Sequence, residues 1–149
     1  MPRVTSSTDI DAPPEVIWNL LCDPYRYPEI ADPTDRMIQV PDEEMGVGYT
    51  YKEFGGVPPF KAESEWTVTV FEPMHRQVHV GDDGTMRLFL DNILEPTESG
   101  TRFIQILDLT PRWYIAPLNA LLWPLLMRRR AQKTMDRTGD NTKRIAEAG

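Results

Sequence analysis

The side chains best able to do chemistry in this chain are a tyrosine–tyrosine–glutamate run, two histidines and two isolated amides. Tyr49, Tyr51 and Glu53 alternate with Thr50, Lys52 and Phe54, so in a strand the first three share one face. A carboxylate buried on such a face is raised in pKa by desolvation and can act as a general acid or base. Tyr51 and Glu53 are therefore the candidate proton donor and acceptor; in water, Glu53 is an ordinary strand-end carboxylate. Asn92 and Gln105 can hydrogen-bond a ligand carbonyl, or satisfy each other or a buried water. His75 and His79 would suit a metal if they lay on a helix. In a strand, the same spacing puts them roughly 13 Å apart. No metal is expected, because Asp and Glu show no ligand spacing either. Ser64 and Ser99 lack a nucleophile elbow, and Gly46-Val47-Gly48 is too short for a phosphate loop. No cofactor is expected.

These residues need elements to position them. Residues 3–10 alternate as a strand and end at Asp11-Ala12-Pro13-Pro14. Proline in a first turn then suits a helix, and Val16, Ile17, Leu20 and Leu21 have helical spacing through Cys22, with Trp18 on the flank. Asp23-Pro24 closes it, and a second short helix follows over 25–31. From residue 36 the period becomes two. Strands are predicted over 37–40, 49–54, 60–71, 76–80, 85–94 and 101–109. In the long strand, Phe60, Ala62, Ser64, Trp66, Val68 and Val70 share a face. Leu88, Leu90, Asn92 and Leu94 share one in 85–94, and Val78 and Val80 oppose Gln77 and His79 in 76–80. Gly55-Gly56-Val57-Pro58-Pro59 and Gly81-Asp82-Asp83-Gly84 are turns. Six or seven strands joined by short turns imply a mainly antiparallel meander.

The chain ends in one long helix. Pro117 suits its first turn, and Leu118, Leu121, Leu122 and Leu125 recur at helical spacing. Pro124 should kink it or mark the start of its regular part. The apolar stripe weakens through Gln132, Met135, Gly139 and Thr142, then recovers at Ile145 and Ala146. Gly139 in mid-helix costs about 1 kcal/mol relative to alanine, so it implies either close packing or open space beside it. The weak half is where packing is expected to be left open, while the leucine-rich half seals the core.

Composition bounds the function. The 149 residues suit one domain over 1–149 with a sizeable core. The net charge of −7 is uneven. Residues 1–112 carry nine basic and twenty acidic side chains, a net −11, and residues 113–149 carry seven and three, a net +4. An acidic body argues against nucleic-acid binding. The single cysteine, Cys22, excludes an internal disulfide and suits a small buried residue. The apolar run 113–127 is shorter than the roughly 20 residues needed to cross a bilayer. The start lacks the apolar core of a signal peptide, and a cytoplasmic protein is expected.

Several short motifs in this order resemble the START-like, or SRPBCC (Bet v 1-like helix-grip), superfamily, and more narrowly its polyketide cyclase/dehydrase and lipid-transport type. The first strand leads through Ile10-Asp11-Ala12-Pro13-Pro14-Glu15-Val16-Ile17-Trp18 into the first helix. Asp23-Pro24-Tyr25-Arg26-Tyr27-Pro28-Glu29-Ile30 resembles the second-helix motif, with Ile30 where tryptophan is common. Gly46-Val47-Gly48, Val68-Thr69-Val70-Phe71-Glu72-Pro73 and Leu94-Glu95-Pro96-Thr97-Glu98-Ser99-Gly100-Thr101-Arg102 resemble its glycine turn, strand end and hairpin. The resemblance spans nearly the whole chain.

It implies an α+β helix-grip fold: a six- to seven-stranded antiparallel sheet, two short helices after the first strand, and a long C-terminal helix across the concave face. It also implies a cavity between sheet and helix. Alternation then places Tyr49, Tyr51, Trp66, Leu88, Leu90 and Asn92 on the concave side, with Phe103, Gln105 and Leu107. Trp18, Leu122 and Met135 meet them from the helices. Such an apolar, aromatic lining with a few polar points suits a small-molecule site, or simply fills the core. Binding or transport of a lipid, polyketide or isoprenoid-like molecule is the leading expectation. An aromatase/cyclase or dehydratase using Tyr51 and Glu53 is the alternative. Trp113, Tyr114 and Trp123 beside Arg128, Arg129 and Arg130 either cap the cavity mouth or rest on an anionic membrane surface. Phe89, Ile104 and Ile106 on the outer face would form a patch for a homodimer.

Overall fold

The computed structural model describes residues 3–149. Strand β1 (Arg3–Ile10) leads into helix α1 (Pro14–Leu21), a 3-10 turn at Pro24–Arg26 and helix α2 (Tyr27–Ile30). Six strands follow: β2 (Thr34–Gln39), β3 (Thr50–Gly55), β4 (Ala62–Glu72), β5 (Arg76–Asp82), β6 (Met86–Pro96) and β7 (Thr101–Pro111). The chain closes with α3 (Ala116–Leu122), a π-helical turn (Trp123–Met127) and α4 (Arg128–Ala148). The seven strands form one sheet in the order β1-β7-β6-β5-β4-β3-β2, every pair antiparallel. This is the α+β helix-grip arrangement.

The helix begins where prolines allow and deforms where one intrudes. Pro117 occupies the first turn of α3, and Pro124 lies inside the π turn. A proline there lacks the N–H of a regular α-turn, and the wider turn absorbs the lost bond. Of the stripe Leu118, Leu121, Leu122 and Leu125, only Leu122 and part of Leu118 reach the cavity; Leu118, Leu121 and Leu125 are 49%, 61% and 74% exposed, and Asn119 and Met127 are buried instead. The preceding turn fixes this rotation: Arg112 N donates to Thr85 O (2.8 Å), Arg112 pairs with Asp82, and the Tyr114 hydroxyl donates to Gly84 O.

The polar-looking half of the helix packs closely at Gly139 and Thr142, contrary to expectation, while Ala131, Thr134, Met135 and Thr138 line open space. Ala131, Thr134, Met135, Thr138, Gly139 and Thr142 are buried at helical spacing. Small residues let α4 approach β1. A Cβ on Gly139 would lie 2.1 Å from Thr8 Oγ1, so glycine serves close packing and not open space. The Thr138 and Thr142 hydroxyls donate to the carbonyls four residues back, Thr134 O (3.0 Å) and Thr138 O (2.8 Å), which satisfies them without water. Ser6 Oγ donates to Asp136 Oδ1 (2.7 Å) and Gln105 Nε2 to Met135 O (3.1 Å), tying the helix to β1 and β7.

A bulge in β4 changes one inward face. Val68 pairs with His79, but Val70 pairs with Val78, leaving one extra residue between them. Ser64, Trp66 and Val68 therefore face inward, and beyond the bulge Phe71, opposite Gln77, takes the place expected for Val70. Phe60 lies before the strand and is 48% exposed. On the convex face, Phe89 is exposed, and Ile104 and Ile106 are partly exposed.

The buried residues form three clusters. One surrounds α1 (Ile10, Ile17, Leu21, Leu94, Phe103), one is aromatic (Tyr27, Tyr49, Tyr51, Trp66), and one joins Val4 to Ala131 and Met135. The space between the clusters is the candidate site.

Candidate functional site

A cavity of about 370 Å³ lies between the concave sheet and the C-terminal helix. That is within the roughly 300–1,000 Å³ typical of small-molecule sites. Cross-strand register builds its floor in rows. Tyr51, Trp66, Gly81 and Leu88 stand opposite one another in turn, as do His79, Leu90 and Leu107, and then Gln77, Asn92 and Gln105. Gly81 makes room for Trp66: a Cβ there would lie 2.6–2.8 Å from three indole atoms. The helices supply the roof, with Leu118, Leu122, Trp123, Met127, Ala131 and Met135.

Of the expected site residues, Tyr51, Glu53, Trp66, Leu88, Leu90 and Asn92 line this cavity. Phe103, Gln105, Leu107, Leu122 and Met135 line it as well. Trp18 and Tyr49 do not. They line a separate open groove with Cys22, Phe71 and Met45. Trp18 packs on Phe71 with ring centroids 5.1 Å apart, and the Tyr49 hydroxyl donates to Pro41 O (3.0 Å). Alternation put Tyr49 on the concave side and Trp18 was expected to meet it from the first helix, but Phe71, brought inward by the β4 bulge, and the 41–49 loop hold them outside the cavity. Trp123 faces the cavity too, so it is not part of the outer surface that carries Trp113, which is 85% exposed.

The sequence suggested His79 only as a metal ligand and gave Gln77 no role. His79 is 2% exposed and Gln77 fully buried. Gln77 Nε2 donates to Cys22 Sγ (3.3 Å), which leaves Gln77 Oε1 to accept from His79 Nε2 (2.8 Å). This orientation puts the imidazole proton on Nε2 and leaves Nδ1 to accept from the Tyr51 hydroxyl (2.8 Å). Burial lowers the His79 pKa to about 4, so the ring is neutral at neutral pH. The Tyr51 phenol is pushed well above its ordinary value, first by burial, then by the neighbouring Tyr27, Glu53 and Tyr49. The signal for His79 was its register opposite Leu90, set by the Gly81–Gly84 hairpin. A two-residue Val/Val alternation did not say which side was inner.

Glu53 sits on the Tyr51 face of β3. It accepts from Thr34 Oγ1 (2.9 Å), and burial raises its carboxyl to about 7 against the opposing pull of the Thr34 hydroxyl and the Trp66 indole. A group poised there can take and return a proton near neutral pH. Burial also raises the Cys22 thiol to about 11, so it stays protonated. Among the described residues, no group of His, Cys, Asp and Glu side chains could hold a metal ion, and no helix is long and apolar enough to cross a membrane.

A family model described as polyketide cyclase / dehydrase and lipid transport matches residues 1–147. No curated protein matches the chain. Among solved structures, it is similar to a polyketide-cyclase-like protein from Corynebacterium glutamicum at 24% identity, covering 99% of this chain and 94% of that one (TM-score 0.64). A START superfamily protein from Mycobacterium smegmatis is 12% identical over 98% and 97% of the two chains (TM-score 0.72). The di-domain ARO/CYC StfQ of the steffimycin biosynthetic pathway is 13% identical over 98% of this chain and 50% of its own (TM-score 0.74). At these identities the structural likenesses speak for the fold.

Proposed function

The chain belongs to the polyketide cyclase/dehydrase and lipid-transport family, and we propose that it binds or carries a hydrophobic small molecule in the cavity between the sheet and the C-terminal helix. The observation that carries this reading is the cavity itself. Trp66, Leu88, Leu90, Phe103, Leu107 and Met135 line it with apolar surface, and only a few polar groups stand among them. Burial of an apolar ligand would supply the affinity, and the polar groups would orient it. Native mass spectrometry of protein purified from cells should show a retained small molecule, and a panel of lipids and polyketides should yield a binder. A protein that retains none and binds none refutes the reading. A cytosolic setting fits the same role.

Glu53 and Tyr51 favour a second reading, an aromatase, cyclase or dehydratase acting through enolisation. The Glu53 carboxylate would remove a proton from carbon between two carbonyls. The Tyr51 hydroxyl would turn from His79 Nδ1 to the carbonyl oxygen and donate a hydrogen bond that stabilises the enolate, and the protonated Glu53 would return the proton it took. Unchanged turnover of a poly-β-keto substrate by the Tyr51→Phe/Glu53→Gln double variant would rule this mechanism out.

Lipid exchange at a membrane is the corresponding partner reading. Trp113, in the turn before α3, and Leu121 and Leu125 are strongly exposed and lie outside the cavity lining, and the exposed Arg128, Arg129 and Arg130 follow directly. Apolar side chains beside a basic cluster suit an anionic bilayer. Co-sedimentation with vesicles containing phosphatidylserine, but not with purely zwitterionic vesicles, would support it. Equal or absent binding to both would remove it.

A further inference from the structure

We infer that the ligand carries a basic nitrogen on an apolar body, and that its ammonium group pairs with Glu53 beside the aromatic rings of the cavity; the inference rests on the binding reading above. Glu53 lines the cavity and is partly buried, on the Tyr51 face of β3 and opposite Ser64. Its Oε2 accepts from Thr34 Oγ1 (2.9 Å). Three neighbouring donors are committed elsewhere. The Trp66 indole donates to Ser64 Oγ (2.9 Å), the Tyr51 hydroxyl to His79 Nδ1 (2.8 Å) and the Tyr27 hydroxyl to Leu21 O. Among the described residues, no ion pair includes Glu53. Burial disfavours the charged form of this carboxyl, and a cation beside it removes that penalty.

The rest of the lining has no such vacancy. Asp83, its other acid, accepts at Oδ1 from Thr85 N (2.9 Å), Thr85 Oγ1 (2.8 Å) and Met86 N (2.8 Å). Asn92, Asn119 and Thr134 are neutral and do not distinguish a cation from an anion. Among the described residues, Lys61 is the only lysine or arginine of the lining, and both Asp35 oxygens hold its Nζ, at 2.7 and 2.8 Å. His79 is uncharged. A carboxylate or phosphate on the ligand would therefore face Glu53 without a free cation to meet it.

An ammonium finds the reverse. The fold has already withdrawn the Glu53 carboxylate from water, so only the ligand's own desolvation remains to be offset. Tyr27, Tyr51 and Trp66 share the lining with Glu53. The Tyr27 and Tyr51 rings lie 5.6 Å apart, and Tyr51 stands opposite Trp66 in the register. Aromatic rings attract a cation over their faces. Residues 1–112, with nine basic and twenty acidic side chains, add attraction at longer range.

Four matched probes test this at pH 8: 2-(aminomethyl)naphthalene, 2-naphthalenemethanol, 2-ethylnaphthalene and 2-naphthoate. Each is titrated into the full chain and followed by NMR of cavity groups, including the Trp66 indole N–H and the Met135 methyl. The amine should bind on the order of ten-fold tighter than the alcohol or the hydrocarbon, and naphthoate should bind weakest. Glu53→Gln should bring the amine down to the affinity of the alcohol, and the wild-type comparison stands by itself if that variant does not fold. The inference is overturned, while apolar binding stands, if the amine binds no tighter than the alcohol or naphthoate binds tightest. An amine preference that survives Glu53→Gln, or amine shifts confined to groups outside the cavity, overturns it equally. No shift of any cavity resonance with any of the four probes overturns the binding reading and the inference together.

Discussion

Removing the charge of Glu53 should stabilise the protein increasingly as pH rises from about 4.5 to about 7, and by a constant amount above that. The carboxyl lies at about 7 in the fold against an ordinary 4.5, because burial disfavours its charged form more than Thr34 and Trp66 favour it. The native state therefore holds the proton more tightly than the unfolded chain. This stability is fully present below pH 4.5 and is lost as pH rises through about 7. At about 1.4 kcal/mol per pH unit, the gap corresponds to about 3 kcal/mol. Gln at this position mimics the protonated acid and still offers an oxygen to Thr34 Oγ1. Urea unfolding of wild type and Glu53→Gln between pH 4.5 and 8.5 isolates the effect as the difference between the two. The variant should match wild type near pH 4.5 and exceed it by up to about 3 kcal/mol at pH 8.5, roughly 10 °C in melting midpoint for a chain of this size. A difference that stays flat with pH would refute the claim that desolvation governs this carboxylate, and with it the acid–base role given to Glu53.

The remaining predictions concern packing and the buried polar chain. Gly139→Ala, which in an ordinary helix gains about 1 kcal/mol, should instead destabilise by about 1–3 kcal/mol in thermal melts, because the new Cβ meets Thr8 Oγ1. Adding Thr8→Ala should restore most of the loss. Gly81→Ala should likewise lose about 1–3 kcal/mol and displace the Trp66 ring, seen as a shift of its indole N–H resonance. His79→Leu leaves the Tyr51 hydroxyl and Gln77 Oε1 unpaired and should lower stability by about 2–4 kcal/mol at pH 7.5. The wild-type histidine is held below its ordinary 6.5, to about 4, so its contribution is present above 6.5 and lost as pH falls towards 4. The variant should lack that part of the acid limb.

Local pattern was enough to recover the order of the elements. Alternation, turn prolines and glycines delimit strands such as Ala62–Glu72 within a residue or two, because the side-chain period of a strand is a local property of its backbone. The same alternation, combined with the family resemblance, put Tyr51, Glu53, Trp66, Asn92 and Gln105 on the face that lines the cavity. It failed where one residue out of step mattered. The bulge between Val68 and Val70 turns Phe71 inward, and Phe71 in turn engages Trp18 in the neighbouring groove.

Other features were decided in three dimensions. The leucines of α3 have a core-like pattern, yet the anchoring of residues 112–114 on the Asp82–Thr85 hairpin turns most of them outward. Gly139 and its neighbouring threonines look like a weak stripe, but small side chains are what a helix needs to lie close against β1. The Tyr51–His79–Gln77 chain joins two strands that are not neighbours, so no spacing along the sequence reveals it. Sequence determines which side chains share a face. The protonation of Glu53 and His79, and the unpaired oxygen of Asn92, depend on what the opposite face removes from water and what it leaves without a partner.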